Sequence, residues 1–133
     1  MLRTIRRLRA VTLVVMLATV SVTGLASAAA QTADPFVGSW TSIDVDGSHQ
    51  TFDVFGNDRV HRVVLFDDAA TNACGGLAAT ARGFGVVHGN HMQTLLNLSC
   101  EGGGRLTNIS FGFDYVAATD TLIDDSGVVW FRA

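Results

Sequence analysis

The chain of 133 residues contains nine arginines, no lysine and twelve acidic residues, which gives a net charge of −3. Four of the arginines lie within the first nine residues and every acidic residue lies after position 33, so the remainder carries 5 − 12 = −7. A domain this acidic, with no basic patch in its sequence, argues against nucleic acid and anionic membrane surfaces as partners.

The first thirty residues have the three regions of a secretory signal peptide. An arginine-rich start is followed by an apolar stretch at 11–22 and by small residues at 26–30, where Ala26-Ser27-Ala28 and Ala28-Ala29-Ala30 fit a cleavage site. The apolar stretch is short for a bilayer span. We therefore expect residues 1–30 to be removed on export, which leaves a secreted or extracytoplasmic protein; a retained N-terminal anchor is the alternative.

Residues 31–133 are enough for one domain with a single modest core and too few for two. This part holds the only two cysteines of the chain, Cys74 and Cys100. In an exported protein such a pair is expected to form a disulfide. The bond would close a loop of about 25 residues and stabilise the fold by roughly 3–4 kcal/mol. The alternative, a metal site, lacks neighbouring cysteine or histidine ligands at the usual spacing.

The sequence after the leader alternates apolar and polar residues with the period of two that is typical of strands with one buried face. The alternation is clearest at 91–101 and 106–115, and no stretch has convincing helical periodicity. Turns rich in glycine, aspartate and asparagine divide this part into eight short segments: 37–45, 50–56, 59–67, 79–88, 91–101, 106–116, 120–125 and 128–132.

Short connections between these segments predict an all-β fold, an antiparallel up-and-down meander of about eight strands. Such a sheet exposes two edges unless it closes, and eight strands can form a small barrel that its own side chains fill. We therefore predict a closed or nearly closed β-barrel, with a two-sheet β-sandwich as the alternative. The irregular stretch 68–77 contains Cys74, so the disulfide would hold this loop at one mouth of the barrel.

The first strand opens with Gly38-Ser39-Trp40, a G-x-W pattern that resembles the calycin superfamily of lipocalins, intracellular fatty-acid-binding proteins and avidins. The resemblance implies a barrel in which Gly38, Trp40 and Arg132 have a structural role at one end, with Trp40 closing that end and Arg132 packing over its indole ring. Phe113-Asp114-Tyr115 is similar to the lipocalin T-D-Y motif, with phenylalanine in place of threonine. The chain is shorter than a lipocalin and lacks its terminal helix.

In length the chain also resembles secreted bacterial metalloprotease inhibitors, which are small calycin-like barrels with a signal peptide and one disulfide. Their inhibitory element is the arm that precedes the barrel, which would here be residues 31–35. The disulfide positions do not clearly correspond.

Six bulky residues are expected to face inward, where they would either line a ligand cavity or fill the interior: Phe52, Val64, Met92, Leu96, Phe111 and Phe113. No G-x-S-x-G elbow is present, and a disulfide would leave no cysteine free as a nucleophile, so we expect no enzymatic activity, cofactor or metal. We expect an exported binding module for an apolar or amphipathic small ligand, or for a partner that its loops contact. A secreted protease inhibitor acting through the N-terminal arm and an envelope-associated structural domain are the alternatives.

Several charged patterns have simpler explanations than a catalytic or metal site. Asp44-Val45-Asp46 begins like a calcium loop, but the twelfth position is Phe55, so we interpret it as a hairpin turn. His88 and His91 flank a Gly-Asn turn, with no acid at helical spacing.

The paired carboxylates at 67–68 and 124–125 would point to opposite faces of a strand, which favours solvated strand ends over a hydrolase pair. Arg62 and Arg82 lie within strand patterns, and either could point inward to anchor an anionic ligand. For Arg62, exposure to solvent is the expected orientation.

Overall fold

The structure, a computed structural model, describes residues 34–56 and 59–133, so the predicted signal peptide lies outside the described residues. The described chain forms eight antiparallel strands in a closed barrel whose strand order follows the sequence. The elements are β1 (Gly38–Ile43), β2 (His49–Phe55), β3 (Val60–Asp67), α1 (Thr71–Cys74), β4 (Ala79–His88), β5 (His91–Cys100), β6 (Arg105–Val116), β7 (Thr121–Asp124) and β8 (Val129–Arg132). The predicted all-β meander and its closure are confirmed, and the sandwich alternative is wrong.

The barrel closes through a short antiparallel ladder between its first and last strands. Trp40 pairs with Arg132, and Thr41 pairs with Phe131. Most connections between consecutive strands are short turns, with the longer loop between β3 and β4 as the exception, and glycines in these turns have positive φ, as at Gly47. Backbone angles of this kind favour glycine, which is why these residues mark the strand boundaries in the sequence.

The two ends of the barrel differ because the strands have unequal lengths. At the closed end, where β1 begins and β8 ends, Trp40 fills the interior. At the open end β6, with 12 residues, extends beyond β7 and β8, which have four each. The β6–β7 ladder covers only Phe113–Val116. The loops at 44–48, 68–78 and 125–128 surround this open end.

The interior between the two ends is filled by side chains that solvent does not reach: Trp40, Phe52, Met92, Leu96, Phe113, Leu122 and Trp130. The rings of Phe52 and Phe113 stack with their centroids 4.3 Å apart. Trp130 meets both rings edge-on, at 5.9 and 5.8 Å. Aromatic pairs in these arrangements stabilise a core beyond the area that they bury.

The side chains of β3 alternate one residue out of step with the prediction. Val63 and Leu65 are buried, whereas Val64 is only half-buried. Leu65 is paired with the buried Phe52, and directly paired residues share a face of the sheet, so Val64 points outward. The expected inward position of Val64 is wrong because segment 60–66 carries apolar residues on both faces.

The predicted disulfide is confirmed, since Cys74 and Cys100 are bonded with their Cα atoms 5.6 Å apart. Cys74 ends α1, a four-residue helix in the loop between β3 and β4, and Cys100 ends β5. The bond therefore holds α1 at the open end. Among the described residues, no helix is both long enough and apolar enough to cross a bilayer.

Candidate ligand-binding site

The closed end of the barrel is sealed by Trp40 and Arg132. The buried indole of Trp40 donates a hydrogen bond from Nε1 to the carbonyl of Phe36 (2.9 Å). The Arg132 guanidinium lies 4.2 Å from the centre of the indole ring and donates to the carbonyls of Val37 (3.1 Å) and Pro35 (2.8 Å). Trp40 and Arg132 thus make the contact that the calycin resemblance implies.

The residues just before the barrel pack against the closed end. Asp34 accepts a hydrogen bond from the backbone N–H of Phe36 (3.0 Å). Its other oxygen lies 3.0 Å from Nε2 of the fully buried His61, a close polar approach that lacks hydrogen-bond direction. Of the predicted inhibitory arm, Asp34 and Pro35 are therefore held on the barrel, and residues 31–33 lie outside the described residues.

A cavity of about 180 Å³ opens between the packed interior and the loops of the open end. Its apolar floor consists of side chains from the barrel wall: Leu65, Ala81, Leu98, Phe111, Phe113 and Trp130. Residues 70–73, in and just before α1, form a lid over it. Its rim contains four carboxylates: Asp44, Asp46, Asp67 and Asp124.

The size of this cavity limits what it can hold. An apolar cavity of about 150 Å³ accommodates benzene, whereas sites for drug-sized ligands measure about 300–1,000 Å³. The cavity therefore has room for one ring or one short aliphatic group. A larger ligand would leave the rest of its atoms outside, among the loops of the open end.

Hydrogen bonds from neighbouring groups fix two of the rim carboxylates. Asp67, which is nearly buried, accepts from the side-chain amide of Gln50 (3.2 Å). Asp124 accepts from the indole N–H of Trp130 (3.0 Å) and from two backbone N–H groups of its own turn. Both aspartates end a strand, so the site has charges in fixed positions beside its apolar floor.

A third rim carboxylate, Asp46, is ionised throughout the physiological pH range. Hydrogen bonds from the Thr71 side chain and from Ser48 lower the pKa of Asp46 to about 2, because they stabilise the charged form. The rim therefore has negative charge that protonation does not remove near neutral pH.

Two of the six residues expected to face inward line this cavity: Phe111 and Phe113. Three others fill the packed interior instead: Phe52, Met92 and Leu96. Leu98, Trp130 and the rim aspartates also line the cavity, although the sequence pattern did not indicate them as site residues. The alternation along the chain places Leu98 inward, but it does not show at which height in the barrel the interior stays empty.

The basic side chains considered from the sequence lie elsewhere. Arg62 and Arg82 are exposed on the outer surface of β3 and β4, and no arginine or histidine is among the cavity-lining residues of the described chain.

Nδ1 of His91 lies 2.8 Å from Oδ1 of Asp114, and this hydrogen bond raises the pKa of His91 above its ordinary value. Within residues 34–56 and 59–133, no three His, Cys, Asp or Glu side chains converge as a metal site would require.

The chain matches no protein-family model, no curated protein and no solved structure. The candidate site therefore rests on its geometry alone.

Proposed function

We propose that this protein is an exported, non-enzymatic binding module that holds a small cationic ligand at the open end of its barrel. The observation that carries the proposal is the cavity of about 180 Å³, where an aromatic floor meets a rim of aspartates. The ligand class that fits is an amine with one ring-sized apolar group, in which the ring enters the cavity and the ammonium group stays at the rim.

The charges around the cavity support a cation over an anion. Asp46 is ionised at neutral pH, and Asp67 and Asp124 are held at the rim by hydrogen bonds. The rings of Phe111, Phe113 and Trp130 line the floor, where they would contact the ring of the ligand, and aromatic pairs contribute about 0.5–1.5 kcal/mol. A ligand this small has few atoms to contribute binding energy, so we expect a roughly millimolar dissociation constant.

Two further features support the wider proposal. A disulfide forms and persists in oxidising compartments, so the bond between Cys74 and Cys100 supports export. A closed eight-stranded antiparallel barrel with Arg132 over Trp40 is compatible with the calycin architecture, whose members include small-ligand carriers.

Titration with 2-phenylethylamine, followed by the amide resonances of isotope-labelled protein, tests the site. Resonances of the cavity residues should shift with this amine, and phenylacetate, which carries a similar ring with the opposite charge, should bind at least about tenfold more weakly because the rim repels it. Ala73→Phe, which fills the cavity from the lid, should abolish the shifts. Ala117→Phe, at an exposed position in the turn at the closed end, is the matched control and should leave them unchanged.

The possible outcomes test two claims separately: that the ligand binds in this cavity, and that the site prefers a cation. Equal binding of the amine and the carboxylate would contradict the cationic ligand class. No shifts with either compound, or undiminished shifts in Ala73→Phe, would contradict a ligand site in this cavity.

A further inference from the structure

The outer surface of the barrel carries a row of exposed apolar and arginine side chains that belong to neither the core nor the ligand site. We call it the basic face; it consists of Phe55, Arg62, Arg82, Phe84 and Leu95. Phe55 lies opposite Arg62, Arg62 opposite Phe84, and Phe84 opposite Leu95 in the strand register, so these four residues form a continuous row across β2 to β5. Phe84 is 61% and Leu95 56% exposed.

The arginines of the basic face are available for an external partner. Neither Arg62 nor Arg82 forms an ion pair with a carboxylate of the described chain; Arg62 instead lies over the ring of Phe55, 5.2 Å from its centre. The two arginines occupy diagonal positions on adjacent strands, where neighbouring residues are about 7–8 Å apart. Exposed aromatic residues together with arginine are typical of protein–protein interfaces.

A second exposed patch combines apolar side chains with carboxylates, so its charge is opposite to that of the basic face. We call it the acidic face; it consists of Ile43, Asp44, Val45, Asp46 and Phe131, on the outer side of β1 and β8 and in the turn after β1. Val45 is 82% and Phe131 58% exposed. The carboxylates of Asp44 and Asp46 flank Val45 in a tight turn closed by a backbone hydrogen bond of 2.9 Å. The acidic face thus presents two carboxylates around an exposed apolar side chain.

The acidic face and the central part of the basic face lie on different sides of the barrel. In a closed ring of eight strands in chain order, β4 is four strands away from β8 in either direction. A second copy can therefore meet the first back to front, with two carboxylates and an apolar residue opposite two arginines and aromatic residues. A net charge of −7 after the leader opposes random association, so this matched orientation is the one that electrostatics favours.

We propose that copies of this protein associate back to front, with the basic face of one copy against the acidic face of the next. The carboxylates that flank Val45 in one copy pair with Arg62 and Arg82 of its neighbour, and Val45 itself packs against Phe84. Such a heterologous contact leaves one face free at each end, so the assembly grows as a row of copies unless its rotation closes a ring. The contact uses Asp44 and Asp46, which also lie at the rim of the cavity, so a neighbouring copy and the proposed ligand share these two carboxylates.

Analytical ultracentrifugation of protein expressed from the full chain tests the contact. The protein should associate as its concentration rises, and added salt should weaken the association because it screens the charge pairs. R62E/R82E should weaken it more than tenfold, since it places carboxylates opposite carboxylates. The matched control, R105E, changes an exposed arginine outside both faces and should have no such effect.

A variant of the other face makes the test specific to a back-to-front contact. V45R/F131R should also be monomeric, because it places positive charge opposite the arginines. An equimolar mixture of R62E/R82E and V45R/F131R should associate again, since each chain retains the face that the other has lost. Thermal unfolding of each variant shows whether it is folded; for an unfolded double variant, the corresponding single variants R62E and V45R replace it.

Three results would overturn the proposal. The first is a monomer at every concentration tested, and the second is a mixture of folded variants that stays monomeric. The third is binding to anionic lipid vesicles that R62E/R82E abolishes in an otherwise monomeric protein, which would assign the basic face to a lipid surface.

Discussion

Arg132 connects several parts of the closed end through a single side chain. Its guanidinium packs over Trp40, bonds two carbonyls of the segment before β1, and donates from Nε to Asp120 (2.7 Å). A Cβ at Gly38 would lie 3.0 Å from Nη1 of Arg132, and Gly38 has φ of +137°. The glycine of the G-x-W pattern is therefore required both by backbone conformation and by the space that Arg132 occupies.

Arg132→Gln should reduce the free energy of unfolding by about 1–3 kcal/mol, because it removes the cation–π contact and hydrogen bonds to partly buried carbonyls. Urea denaturation followed by tryptophan fluorescence measures the change. Arg105→Gln, at an exposed position, is the matched control and should change stability by less than about 0.5 kcal/mol. An equally small effect of Arg132→Gln would contradict this role.

Because His91 is hydrogen-bonded to Asp114, we expect the free energy of unfolding to depend slightly on pH. The hydrogen bond to Asp114 raises its pKa in the folded state above the ordinary 6.5, so the protonated ring stabilises the fold fully below that ordinary value. The stabilisation is lost as the pH rises through the raised pKa. Both side chains are exposed to solvent, so we expect less than about 1 kcal/mol.

Urea denaturation at about pH 5.5 and about pH 8.5 brackets this titration. His91→Gln should reduce the difference in unfolding free energy between the two conditions, whereas His88→Gln, at an exposed neighbouring position, should retain it. An unchanged difference in His91→Gln would show that other groups cause the pH dependence.

At the scale of elements, α1 is the part of the molecule that depends most on the disulfide. The helix has four residues and buries none of them, so packing alone gives it little stability. C74A/C100A should lower the free energy of unfolding by roughly 3–4 kcal/mol and should also weaken binding of 2-phenylethylamine, because the lid is no longer tied to β5.

Urea denaturation and ligand titration, each with and without a reductant, measure the two effects. The reductant should act on the unmodified protein and leave C74A/C100A unchanged, since this variant has no bond to reduce. Loss of stability with fully retained ligand affinity would mean that the lid holds its position without the disulfide.

The strands were predictable from the sequence, whereas the helix and one face assignment were not. All eight predicted segments correspond to strands, because alternation and turn residues are local properties of the chain. The four residues of α1 are too few to show helical periodicity. The orientation of Val64 required the ladder with β2, because valines occupy both faces of β3 and local alternation is therefore ambiguous.

At the scale of the whole molecule, unequal strand lengths create the open end that contains the candidate site. Because β7 and β8 have only four residues each, their connecting turn and the other loops of this end surround a cavity in place of a packed core. Aspartates at the ends of β3 and β7 and in the turn after β1 meet there. One end of the barrel therefore combines an apolar cavity with negative charge, and the other is sealed by Trp40.

The sequence by itself determined that residues 34–133 form an all-β domain, where the strands of this domain lie and which two cysteines pair. These follow from local alternation, from turn residues and from the presence of only two cysteines. Only the tertiary structure decided which inward side chains fill the core and which line a cavity, and which charges share an end or a face. Those properties depend on strand register and closure, which bring together residues as distant in the chain as Asp46 and Trp130.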